Sequence, residues 1–170
     1  MSVSAAGSGQ LRAIQELHEA FAERGVDYWL FGGWAVDFHA GRVTREHDDI
    51  DLAVWRADLE VVAAALEQLG WAHLPAAGED GYTTYARQGV PLELALLARD
   101  EDGVIYTPLT DGRGEWPAGS FGETTSEVAG VRARVVGLAS LVEDKSAARV
   151  DALTTAKDRH DVDVLTQPRT

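Results

Sequence analysis

The stretch LFGGWAVDFHAGRVTREHDDIDLAV, from Leu30 to Val54, decides how this chain is read. An apolar run, Tyr28 to Phe31, ends in Gly32-Gly33; a helix-like segment follows, and after a loop bearing arginine and histidine a second run opens at Asp49-Ile50-Asp51. In a strand alternate side chains share a face, so Asp49 and Asp51 stand roughly 6.5 to 7 Å apart on one side while Ile50 points into the core. Two carboxylates so placed can hold hard divalent cations, and a two-metal site spaces its ions about 3.5 to 4 Å apart. Glycines, having no side chains, let backbone N–H groups at a strand-to-helix turn approach a phosphate. A phosphate cradle beside a metal pair implies phosphoryl or nucleotidyl transfer.

Outward from this stretch the chain alternates helix and strand signals. Leu11, Ile14, Leu17 and Phe21 recur at helical spacing and predict a first helix over about 10–24, with residues 1–9 as a flexible start. Gly33 to Ala40 reads as a helix closed by Gly41, and 48–54 as the strand carrying the acids. Leu59, Val62, Leu66 and Leu69 mark another helix, with Asp58 as N-cap and Gly70 as terminator. Trp71 to Leu74, Tyr82 to Arg87 and Pro91 to Leu97 are strand-like, separated by Gly78 to Gly81 and Gly89-Val90. A turn at Asp100 to Gly103 leads to Val104 to Tyr106; Thr110 to Gly122, rich in glycine, reads as a surface loop bordering a pocket. Val128 to Val136 predicts a hairpin turning at Ala129-Gly130, and about 138–166 is helical. The expectation is one α+β domain over 1–170, with a mixed β-sheet flanked by helices.

Composition narrows the class. The chain has 170 residues, 45% hydrophobic and 25% charged, in the range of an ordinary globular protein. Fifteen Lys and Arg against 28 Asp and Glu leave a formal charge of −13. Such a field disfavours nucleic acid and anionic membranes as partners, favours cationic ones, and repels a triphosphate unless local bases and metal ions overcome it. Without cysteine there is no disulfide, thiolate zinc site or cysteine nucleophile. Met1 to Gln10 lacks the pattern of a signal peptide and nothing approaches a membrane span, so a cytoplasmic setting is the default.

Other chemistry-bearing residues surround this nucleus. Glu93 interrupts the apolar strand VPLELALL, where a buried carboxylate needs a metal or a base, or else faces outward from an edge strand. Arg42 and Arg45 can neutralise phosphates or pair with Asp37 or Glu46; His47 suits a ligand, a base or a structural hydrogen bond; Asp48 suits a cap or a solvent-facing acid. Asp161-Val162-Asp163 repeats the Asp-x-Asp letters, but in a helix those side chains lie about 200° apart, so it is no second metal site. Trp34, Tyr82, Tyr85, Tyr106 and Trp116 offer faces that attract ammonium groups, or simply fill the core.

Taken in order, Gly32-Gly33-Trp34-Ala35-Val36-Asp37, Thr44-Arg45-Glu46-His47 and Asp49-Ile50-Asp51-Leu52 resemble the nucleotidyltransferase superfamily, and within it the small lincosamide and aminoglycoside antibiotic nucleotidyltransferases. The match is dense over about 26–70. The resemblance implies a polymerase-β-like nucleotidyltransferase fold, with Gly32 and Gly33 holding nucleotide phosphates. It assigns Asp49 and Asp51 to two Mg2+ ions and Glu93 as the third acid, although the family more often has aspartate there. In the superfamily a lysine at the place of Lys145 often reaches the triphosphate, and the loop holding Arg45 lies beside the implied metals, where Arg45 can bind the nucleotide phosphates or pair with Asp37 or Glu46. The implied reaction is transfer of a nucleoside monophosphate, from ATP or another NTP, to a hydroxyl of a small cationic antibiotic, with a homodimer possible. Two alternatives stay open: modification of a protein side chain within a toxin and antitoxin pair, and a non-catalytic nucleotide-binding module.

Overall fold

A computed structural model describes residues 3–75, 80–147 and 152–167 of the chain. Helix α1, Ala5–Glu23, buries Leu11, Ile14, Leu17 and Phe21 along one stripe. It begins five residues before the expected start, because Ser4 caps it by accepting the Gly7 N–H at 3.1 Å. Strand β1, Tyr28–Phe31, runs into α2, Gly32–Ala40, which ends at the left-handed Gly41. Strand β2 is Ile50–Trp55, and after one 3-10 turn α3 spans Leu59–Gln68. Asp58 makes no capping bond, contrary to expectation, since that turn already leads the backbone into α3.

The strands β3 (Ala72–Leu74), β4 (Tyr82–Arg87), β5 (Val90–Arg99) and β6 (Ile105–Leu109) follow. Part of the separator before β4, residues 76–79, lies outside the described residues. The expected loop 110–122 contains a further strand, β7, Gly112–Glu115, paired antiparallel with β6. Its sequence, GRGE, has no apolar alternation, so pairing alone makes it a strand. Strands β8 (Thr125–Val128) and β9 (Val131–Arg134) form a hairpin that turns at the expected Ala129-Gly130, both at positive φ, but spans 125–134 rather than 128–136. Two helices close the described chain, α4 (Leu138–Ser146) and α5 (Ala152–Thr166); 148–151, read as helical, lie outside the described residues.

The main sheet has the order β1-β2-β5-β4-β3, with β6 added to the far end of β5 and β7 to β6. β2 and β5 run parallel and the other pairs antiparallel, so the sheet is mixed and flanked by helices. The parallel pair sits at the centre because both strands can be buried on both faces. Ile50, Leu52, Val54, Leu92, Leu94 and Leu96 join the core beneath α1 and α3, with Trp34 and Phe38 of α2. Ala53, Ala95 and Leu97 face the other way, toward Trp29, Val36 and Leu141. By alternation Asp51 and Glu93 share this second face with Ala53 and Ala95. The register places the two acids side by side, Asp51 opposite Glu93.

Candidate active site

The strand-to-helix turn comes first. Gly32 has φ +66, a conformation that L side chains resist, and a Cβ there would collide with the Asp51 carboxylate. A Cβ on Gly33 would lie 2.5 Å from Arg45 Nη2 and 2.6 Å from His47 Nδ1. The turn thus has an acid against one glycine and basic groups against the next. Phe31, the residue before α2, makes no side-chain capping bond, so the first N–H groups of the helix have no side-chain cap.

Asp51 and Glu93 come together from two neighbouring strands, β2 and β5, and Asp49 approaches them from the loop before β2. β2 begins at Ile50 rather than at the expected 48, which leaves Asp49 exposed on the loop just before it. Asp51 keeps some solvent access yet is crowded by protein. Burial, then the charges of Asp49 and Glu93, push its carboxyl up to about 8 against the opposing pull of Lys145 and Arg45. Glu93, half-buried, is also raised, first by burial and then by Asp49. Carboxylates that disfavour one another's ionisation in a poorly solvated corner call for positive charge. An all-oxygen donor set fits a hard divalent cation rather than a soft one. Among the described residues no three such ligands are already closed at ion-holding geometry.

The basic residues are organised by Asp161, which the sequence reading weighed only as half of a second Asp-x-Asp. Arg45 donates from Nε and Nη2 to Asp161 at 2.9 and 3.0 Å, rather than to Asp37 or the Glu46 carboxylate, while its Nη1 lies 3.1 Å from both the Glu46 carbonyl and His47 Nδ1. Lys145 Nζ lies 3.1 Å from both Asp158 and Asp161. His47 is structural: its Nε2 meets Asp37 Oδ2 at 2.6 Å, its ring packs on Trp34, and its carbonyl accepts from Gln10. Buried Asp37 also accepts from the Thr44 backbone and hydroxyl, fixing the loop between α2 and β2. Asp48 pairs with Lys157 of α5, while Arg42 is exposed at the opposite end of α2 from the glycine turn.

A cavity of about 340 Å³ opens beside Gly32, with Phe31, Tyr82 and Trp116 on its walls and Glu115, Glu143 and Asp144 at its rim. Of the five aromatic candidates only Tyr82 and Trp116 border it. Trp34 and Tyr85 are buried in the core, and Tyr106 stacks beneath Arg113. Sequence reasoning named Asp161 but gave it no partner, and gave the rim acids no role. The signal available for the former was spacing: Asp158 and Asp161 stand one helical turn apart, and both are buried.

This mixed sheet with flanking helices is the nucleotidyltransferase fold. A crystal structure of ANT(2'')-Ia in complex with adenylyl-2''-tobramycin superposes with a TM-score of 0.73 at 24% identity, covering 92% of this chain and 87% of that one. A lincomycin-bound structure of the lincosamide antibiotic adenylyltransferase LnuA gives 0.68 at 21% identity, covering 86% and 90%. The sequence model of the aminoglycoside-2''-adenylyltransferase family matches residues 13–165, and the chain belongs to that family. A 2''-aminoglycoside nucleotidyltransferase of Escherichia coli is 38% identical over 79 residues, 42% of this chain and 45% of that protein. A lincosamide resistance protein of Staphylococcus haemolyticus is 40% identical over 53 residues, 31% and 33% of the two chains. The chain spans about half the length, or less, of the curated relatives it matches.

Proposed function

We propose that the chain transfers a nucleoside monophosphate, from ATP, to a hydroxyl of a small polycationic antibiotic of the aminoglycoside class. The observation that carries this reading is the placement of Asp51 against both Glu93 and the Gly32 turn. Asp49, Asp51 and Glu93 are the residues that would hold two magnesium ions. Bound there, magnesium supplies charge neutralisation for the entering and leaving oxygens.

Gly32 and Gly33 donate backbone N–H groups to the β and γ phosphates, with Arg45 and Lys145 as the neighbouring counter-charge. Glu93 orients the attacking hydroxyl and takes its proton. The acceptor oxygen bonds to the α phosphorus, the bond from that phosphorus to the bridging oxygen breaks, and pyrophosphate leaves with the electron pair. No covalent protein intermediate is needed, because positioning and charge stabilisation supply the rate.

The acceptor is read from the cavity and the field. Glu115, Glu143 and Asp144 at the rim attract ammonium groups, and the faces of Trp116 and Tyr82 hold them. A net charge of −13 suits a multiply charged aminoglycoside better than a singly charged lincosamide. Incubation with ATP, magnesium and a panel of both antibiotic classes tests this, with pyrophosphate release as readout. Release with aminoglycosides is expected; no release with any acceptor or nucleotide would contradict the reading.

A further inference from the structure

We infer that Asp161 is a positioning residue that holds Arg45 and Lys145 side by side behind the glycine turn, so that two cations face the nucleotide phosphates. The inference rests on the nucleotide reading above and concerns a residue outside the acids and glycines that define it. Two like charges do not share a corner unaided. Asp161 joins them from α5: one carboxylate oxygen takes Arg45 Nε at 2.9 Å, and the other takes Arg45 Nη2 at 3.0 Å and Lys145 Nζ at 3.1 Å. Asp161 is wholly buried, and Asp158, one turn earlier, gives Lys145 a second oxygen.

The geometry directs this network at the site. Arg45 Nη2 stands directly behind Gly33. Burial alone would push the Asp161 carboxyl up, yet its bonds to Arg45 and the field of Lys145 hold it below the usual range, so it stays a charged bidentate acceptor. A forked carboxylate–guanidinium pair fixes direction as well as distance, which a single contact would not. α5 is therefore more than a cover over the second face of the sheet, since it supplies the counter-ion that aims the phosphate-facing cations.

The experiment is titration calorimetry of the full chain with magnesium and α,β-methylene ATP, comparing the wild type with Asp161→Asn and Asp161→Glu, alongside melting curves and acceptor KM. Losing a charged bidentate bond should weaken analogue binding about tenfold or more in Asp161→Asn, with partial rescue in Asp161→Glu and acceptor KM unchanged. Affinity within about twofold of wild type in a folded Asp161→Asn overturns the inference. So does a loss that falls equally on acceptor and analogue, which marks a merely structural role. Absence of binding by the wild type instead overturns the functional reading, and this inference with it.

If Asp161→Asn fails to fold, the Arg45 Nε–H resonance of wild-type protein labelled with 15N-arginine gives the answer. The proposal expects it protected from exchange in the free protein and shifted, still protected, once the analogue binds. Loss of protection on binding, or no shift, overturns it.

Discussion

Asp51 holds the conflict around which the site is built: a carboxylate crowded by protein, beside two other acids, with its carboxyl raised to about 8. The sign of its effect on stability follows. Unfolded, the group ionises near 3.8; folded and metal-free, it holds its proton to about 8. The native state therefore binds the extra proton, and stability drains away as pH rises from about 4 to about 8. Asp51→Asn removes that loss. In chelator the variant should melt above wild type at pH 8 and close to it near pH 4, and magnesium should raise the wild type alone. An equal difference in melting temperature at both pH values would contradict the assignment. Transfer should fall on the order of a thousandfold or more in Asp51→Asn, as expected when several kcal/mol of metal-held stabilisation is lost. Glu93→Gln should lower kcat more than nucleotide affinity, because in the proposed reaction Glu93 takes the proton of the acceptor hydroxyl. The placement of Asp51 against the glycine turn was legible in sequence because the Gly-Gly turn and the strand after it need only local spacing. Asp161 was not, since its meaning depends on α5 docking against a loop 116 residues away in sequence.

Single elements show the same divide between local rule and tertiary placement. Gly32 and Gly9 are both helical glycines, yet alanine should act oppositely at the two. At Gly32 the left-handed φ and the approach of Asp51 make alanine cost about 1 to 3 kcal/mol and abolish transfer. At Gly9, exposed on α1 with nothing within 4 Å of an added Cβ, it should stabilise by about 0.5 to 1 kcal/mol and leave transfer intact. Chemical denaturation of both variants checks the pair. β1, α2, β4 and the β8–β9 hairpin could be read from turns and periodicity. The early start of α1 escaped because Gly7 and Gly9 weaken the helix signal that the Ser4 cap restores. β7 escaped because a glycine-rich strand is defined by its partner, β6.

Across the whole molecule the central parallel pair divides the core, and the site grows from the thinner side, where small Ala53 and Ala95 lie next to the acids. The opposite face, under α1 and α3, carries the larger core and anchors β2 and β5 from below. Among the described residues no helix is long and apolar enough to cross a membrane. The charge of −13 acts at long range, so acceptor capture should weaken with salt. Raising ionic strength from about 0.1 to about 1 M shortens the screening length from about 10 to about 3 Å. At saturating nucleotide, KM for a multiply charged aminoglycoside should rise severalfold across that range, while KM for a lincosamide should barely change. Equal salt sensitivity would argue against the field as the source of selectivity.

The most direct measurement is the mass of an aminoglycoside such as tobramycin after incubation with ATP, magnesium and the purified chain, run in parallel with Asp51→Asn. The antibiotic should gain one adenylate in the wild-type reaction and remain unmodified in the variant. An unmodified antibiotic with every nucleotide, or equal modification by the Asp51→Asn protein, would contradict it.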